Sequence, residues 1–317
     1  MARERSLPAW AAVLAAVVVA LGGCSHERRV SQHVSTPAGP ESPYLGVWEP
    51  GEGTSYQPVA SFGAAVGRQP NVVLYYDNIP EQFPAQLAAR IHAHGAIPLA
   101  QIDPDHATMA AVASGRYDAY LRSYARAVRA YGHQIIISFA AEMNGNWDQW
   151  GWHHTSPTTW IRAWRHVVDV FRAQHADNVT WLWTVNLSSP TTGPFQDWWP
   201  GARYVTWVGI DGYYLVPTQT FSNTFQPMIT EIKELTGKPI LLSETAVSPV
   251  AGATKIPDMF AGIARDHLLG LVWFDEAQHD GPSRQDWRLE DNPAAVALFR
   301  QAVTAYWKGG SAQTHSP

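Results

Sequence analysis

Cysteine is almost absent from this 317-residue chain. Cys24 is the only one, so no disulfide can form within the chain and stability has to come from an apolar core. Charge is scarce as well, at 15% of residues with a formal net charge of -5. No basic excess is available to neutralise phosphates, which excludes a nucleic-acid partner. Beyond residues 10–21 there is no long apolar run, and that one is shorter than the roughly 20 residues a spanning helix needs. No repeat of fixed period appears, which excludes solenoids and propellers. His153 and His154 are adjacent, and His92 and His94 are two apart on a predicted helix. Neither spacing gives a metal-ligand pair, and neither a metal nor another cofactor is expected.

Apolar and aromatic residues are plentiful. Hydrophobic residues make up 46% of the chain, enough for one large core. Fifteen tryptophans exceed what a core usually needs, which points to an exposed aromatic cleft. Tryptophans scattered through core and surface are the alternative.

Two stretches answer each other. The β-branched run Gln134-Ile135-Ile136-Ile137 leads into Glu142-Met143-Asn144-Gly145-Asn146-Trp147, with Trp150 and Trp152 close behind. The run reads as a fully buried strand and the Asn-Gly-Asn segment as its exit turn. Pro239-Ile240-Leu241-Leu242-Ser243-Glu244-Thr245 repeats the pattern, a buried strand ending in a glutamate. A carboxyl pair beside flat indole faces suits glycosidic-bond chemistry, because the rings pack on sugar C–H faces.

Around these stretches strands and helices alternate. Strands are expected over 44–48, 71–76, 96–101, 134–141, 179–185, 205–210, 239–243 and 270–274. Helices are expected over 61–68, 84–94, 118–131, 157–174, 221–235, 257–267 and 293–307, with a loop over 187–201. Eight such units over about 265 residues match a single-domain α/β fold, the (β/α)8 TIM barrel. Active sites in that fold lie at the C-terminal strand ends. Asp77, Gln101, Glu142, Asn186, Asp211, Tyr213, Glu244 and Trp273 all fall there. Asp275 and Glu276 also follow a strand and form either a rival carboxylate or an exposed loop pair. Trp150, Trp152, Trp198 and Trp199 are either sugar platforms or core residues.

Glu142-Met143-Asn144-Gly145-Asn146-Trp147, Gly209-Ile210-Asp211-Gly212-Tyr213-Tyr214 and Ser243-Glu244-Thr245, in this order, resemble glycoside hydrolase family 26. That family contains mainly β-mannanases, with some β-glucanases and β-1,3-xylanases. The resemblance implies a retaining hydrolase with Glu142 as acid/base and Glu244 as nucleophile, the carboxyls standing about 5–5.5 Å apart. It also implies that Tyr213 hydrogen-bonds the nucleophile and that Trp147 and Trp273 wall the cleaved sugar. Asp211 either binds a sugar hydroxyl or orients Tyr213; Asn186 and Trp152 complete the expected substrate-binding set. Many family mannanases carry Arg-Pro-x-His-Glu, where this chain has Ser138-Phe139-Ala140-Ala141-Glu142. Strand three often ends in Trp-Glu-Pro there, against Ile102-Asp103-Pro104 here. The implied activity is endo-hydrolysis of a β-linked polysaccharide, β-1,4-mannan first, by a monomeric enzyme. A non-catalytic glycan-binding lipoprotein is the alternative from another class.

Arg3 and Arg5 followed by the apolar run read as a signal peptide over residues 1–23. Leu21-Gly22-Gly23-Cys24 resembles a bacterial lipobox, which implies lipidation of Cys24. Residues 24–43 are polar and read as a tether, 44–308 as the catalytic domain and 309–317 as a disordered tail. The expected location is the outer face of the bacterial cell membrane, or the medium if Cys24 is not lipidated. Cys24→Ala is expected to release or mislocalise the protein while leaving the domain folded. A mature variant that still fractionates with membranes would contradict this.

Overall fold

The computed structural model describes residues 43–277 and 285–313. The expected signal peptide, the lipidated Cys24, the tether up to residue 42 and residues 314–317 lie outside the described residues. Among the described residues no helix is long and apolar enough to cross a membrane.

Eight parallel strands close into a barrel in sequence order. They are β1 (Tyr44–Trp48), β2 (Val72–Asn78), β3 (Ile97–Asp103), β4 (Ile135–Phe139), β5 (Val179–Asn186), β6 (Trp207–Asp211), β7 (Ile240–Thr245) and β8 (Gly270–Phe274). Outside them run α1 (Gln57–Val66), α2 (Ala85–Ala93), α3 (Met109–Ala113), α4 (Asp118–Tyr131), α5 (Pro157–Ala173), α6 (Phe221–Thr224), α7 (Gln226–Leu235), α8 (Lys255–Arg265) and α9 (Pro293–Gln313). This is the (β/α)8 barrel expected from the sequence. β1 meets β8 in register from Tyr44–Gly270 to Trp48–Phe274, and this seam closes the sheet.

Side chains alternate along each strand, and here the alternation sorts two cores. Tyr44, Val72, Leu74, Ile97, Leu99, Ile136, Leu182, Leu241 and Val272 fill the barrel interior. Val73, Tyr75, Ile135, Ile137, Trp183, Ile210, Leu242 and Trp273 face the helices in the larger outer core. Above the apolar interior lies a polar layer. Ser138 and Thr184 hydroxyls are bonded at 2.8 Å, and a Cβ at Gly209 would overlap the hydroxyls of Ser243 and Thr184. Glycine there gives the hydroxyls their space.

The departures from the expected elements have local causes. α1 begins four residues early because Pro58 suits a helix's first turn. α3 was not expected; Thr108 caps it by accepting from the Ala111 N–H at 3.2 Å. The single helix expected over 221–235 is two, since Pro227 has no N–H to continue the ladder. The expected loop 187–201 contains a 3-10 turn, Phe195–Trp198. α5 is capped by Ser156 and buries Trp160, Trp164, Val167, Val168 and Phe171 on one face. At the C-terminus α9 runs to Gln313, so 309–313, expected as tail, are helical.

Gly262, inside α8, offers a test of packing against propensity. Alanine in place of a helix-interior glycine is worth about 1 kcal/mol. Here the added methyl would overlap the fully buried Phe221 ring, which Phe225 backs at 5.4 Å. Overpacking of this kind costs about 1–3 kcal/mol. Gly262→Ala is therefore expected to lower the urea midpoint with an unchanged m-value. A raised midpoint would show that the ring gives way freely.

Candidate active site

The exit of β4 is bent by two residues in the left-handed region, Ala140 at φ 47° and Glu142 at φ 54°. Each such non-glycine residue costs about 1–2 kcal/mol, so the bend has to be held. Buried indoles hold it: the Trp160 N–H donates to the Ala140 carbonyl at 3.3 Å and the Trp150 N–H to the Ala141 carbonyl at 2.7 Å. The Glu142 N–H donates to the Thr184 carbonyl on β5 at 3.1 Å. These bonds turn the Glu142 side chain toward β5 and the barrel mouth.

There the Glu142 carboxyl has a partner on each oxygen. Asn186 donates its amide to Oε1, and the Trp147 indole donates to Oε2 at 2.9 Å. Asn186 is fixed in turn by Asn144, which accepts from the Asn186 N–H at 2.9 Å and donates to its carbonyl at 2.8 Å. Trp147 lies flat on Gly145, where a Cβ would collide with the ring, and keeps 42% exposure. One indole thus touches the acid and presents a face to solvent.

Glu244 arrives by a different device. Between β6 and β7 the register shifts, so that Ile210 pairs with Leu242 but Asp211 with Glu244. The extra residue, Ser243, makes a bulge that re-aims the following side chain. Tyr213 donates its hydroxyl to Oε1 of Glu244, and Tyr76 donates to Oε2 at 2.5 Å. Tyr76 was not among the expected site residues. Its signal was parity: it continues the inward series Val72, Leu74 on β2.

Asp211 is 1% exposed and accepts from the Ser243 hydroxyl at 2.6 Å. Burial first, then the charges of Glu142 and Glu244, push its pKa well up. It is enclosed from solvent next to the two glutamates. Glu142 is pushed up to about 8 by burial and then by the charge of Glu244, against the pull of Asn186 and Trp147. Burial raises Glu244 too, but both phenols pull it back. No cation is among the main influences on these three carboxyls.

Other expected residues lie elsewhere. Trp273 is not a cleft wall. It faces outward from β8, is 1% exposed, bonds Asp275 at 3.0 Å and meets Phe299 of α9 edge-on. Its neighbour Phe274 is buried and stacked on Trp48 with centroids 4.7 Å apart. Asp77 also faces outward and accepts from the Tyr124 hydroxyl at 2.8 Å. Trp150 and Trp198 are buried, with Trp198 edge-on to Trp160 at 6.2 Å. Trp152 is half-buried, packed on Gly193 and against His153, and Trp199 is edge-on to Trp183. Asp275 is no exposed loop residue: burial and neighbouring Glu290 and Glu49 push it up to about 10. Asp103, inward on β3, is pushed up to about 8 by burial and by Asp148 and Asp105.

The sequence profile of glycosyl hydrolase family 26 matches residues 118–305, which hold Glu142, Tyr213 and Glu244. Endoglucanase H of Acetivibrio thermocellus is 29% identical over 278 residues, 82% of this chain and 30% of that protein. The β-1,3-xylanase TXYA of a Vibrio species is 32% identical over 108 residues, 33% of this chain and 22% of that protein. The chain therefore spans less than a third of the length of these relatives. A family 26 β-mannanase from Bacteroides ovatus is similar in structure with a TM-score of 0.65 at 16% identity, over 83% of this chain and 88% of that one. The YdhT protein of Bacillus subtilis gives 0.64 at 15%, over 82% and 85%. At such identities the likeness concerns the barrel. The profile covers more than half of the chain, from α4 into α9, and the protein belongs to glycosyl hydrolase family 26.

Proposed function

We propose that this protein is a retaining endo-β-glycanase acting by double displacement. The observation that carries the reading is the unequal pair at the barrel mouth: Glu142 pushed up by burial and by the charge of Glu244, and Glu244 accepting two phenols that pull it back against its burial. Such a split of two carboxyls is what acid and nucleophile roles need. Glu142 protonates the glycosidic oxygen as Glu244 attacks the anomeric carbon. Glu142 then takes a proton from the water that releases the sugar. Trp147, and the half-buried Trp48, offer ring faces for a sugar.

For the polymer, β-glucan comes first. The relative that shares 82% of this chain is named an endoglucanase, and Ser138 and Ala141 replace the arginine and histidine frequent in family mannanases. β-1,4-Mannan, the expectation from sequence, is the second reading, since the β-mannanase from Bacteroides ovatus shares the barrel. Reducing-end release from mixed-linkage β-glucan, β-mannan and β-1,3-xylan tests the choice. No release from any of them would favour the binding-protein alternative. At the cell, Cys24 would tether the enzyme to the membrane's outer face.

The two glutamates are expected to fail differently. Glu142→Ala should spare the first step on aryl glycosides with good leaving groups, and azide should then yield a β-linked azide. Glu244→Ala should lose turnover on all substrates, and azide should yield the α-linked product. Equal residual activities, or an inverted product from the unaltered enzyme, would contradict the assignment.

The alkaline limb of kcat/KM should lie near pH 8, where Glu142 loses its proton. The Asn186 amide stabilises the carboxylate and so lowers this pKa. Asn186→Ala should raise it and move the limb to higher pH. A limb that stays in place or falls would show that Asn186 does not set the acid's protonation.

A further inference from the structure

Both oxygens of Glu244 accept a phenol, yet one of them must bond to the anomeric carbon. The two phenols are held very differently. Tyr213 is wedged: its ring lies against Trp287 at 4.6 Å and edge-on to Phe274 at 6.1 Å. Tyr76 meets Trp48 edge-on at 5.5 Å and keeps 37% exposure at the barrel mouth. An ester's bridging oxygen is a much weaker acceptor than a carboxylate oxygen, because its charge is gone. The ester's carbonyl oxygen remains an ordinary acceptor. The fixed phenol therefore suits the oxygen that stays a carbonyl, and the freer phenol suits the oxygen that attacks.

We infer that Oε2 of Glu244 is the attacking oxygen and that Tyr76, losing its acceptor as the ester forms, transfers its hydrogen bond to the substrate's 2-hydroxyl. This rests on the retaining mechanism proposed above. In the first step the bond from Oε2 to the anomeric carbon forms, the bond to the leaving oxygen breaks, and the Glu142 proton goes to that oxygen. In the second step water attacks, the ester bond breaks, and Glu142 takes the water's proton. Tyr76 keeps its own proton throughout and exchanges only its acceptor. The 2-hydroxyl is the hydroxyl nearest the attacked carbon, and its hydrogen bonds strengthen in the transition state. Tyr76 is thus a positioning residue in the free enzyme and a substrate contact during reaction.

Tyr76→Phe removes the hydroxyl and keeps the ring on Trp48; an unchanged unfolding midpoint verifies that the fold is intact. The first readout needs no substrate. The Glu244 carboxyl-carbon resonance, assigned by its loss in Glu244→Gln, should titrate about one unit higher in Tyr76→Phe, tenfold in the ionisation constant. An unmoved titration would overturn the inference. The second readout compares aryl β-glucosides with and without the 2-hydroxyl. In the unaltered enzyme, loss of the 2-hydroxyl should lower kcat/KM, and Tyr76→Phe should lower it on the full substrate by about tenfold or more. In Tyr76→Phe, loss of the 2-hydroxyl should cost little further. Additive losses would overturn the transfer to the 2-hydroxyl. An unaltered protein inert on every glycan, with the titration shifted as expected, would instead refute the retaining-glycanase reading and the transfer with it, while the Tyr76–Glu244 bond stood.

Discussion

In a closed parallel barrel a strand reaches the central cleft only with every second residue. Most of the site follows from this parity. On β2, Val72 and Leu74 fill the interior and Tyr76 arrives at the mouth, while Asp77 points to Tyr124 on α4. On β8, Val272 faces inward, Phe274 stacks on Trp48 and Trp273 faces α9. Where a glutamate has to escape the rule, the backbone is altered. The bulge at Ser243 re-aims Glu244, and the left-handed pair at Ala140 and Glu142 re-aims the other.

These alterations strain the chain, and the aromatic residues offset the strain. The tryptophans around β4 are not mainly sugar platforms. Trp150 and Trp160 spend their only donors on the two carbonyls of the bend. Trp160 is then set by Trp164 on one side and Trp198 on another. A large part of the chain's tryptophan excess thus serves the placing of one carboxylate, and Trp147 alone among the β4-exit indoles keeps a broad exposed face.

The architecture was legible because β-branched runs ending in polar residues recur at barrel spacing. The two glutamates were legible because a motif and a strand end coincide on each. What stayed hidden depended on parity or on loop packing. Trp273, a cleft wall by resemblance, proves buried and outward-facing, since neither a motif nor a strand end says which neighbour faces in. Tyr76 carries no motif, and its role appears only when Glu244 is brought across the barrel from β7. For Asp211 the sequence leaves open a sugar ligand or a residue orienting Tyr213; its pairing with Glu244 comes from the β6–β7 register shift, which no local pattern announces.

The carboxyl cluster itself has a consequence for what the cleft admits. Glu142, Asp211 and Glu244 lie together with Asp103 and Asp148 close by, and hydroxyls, an amide and an indole temper the first three. The arginine that frequently precedes the acid in related mannanases is Ser138 here, spent on a bond to Thr184. Burial holds most of these carboxyls toward their neutral forms, so the basin gains negative charge as pH rises through their raised pKa values, most strongly felt at low ionic strength. At such pH a polymer decorated with uronic acids or sulfates would meet growing repulsion in the cleft, and a neutral chain would not.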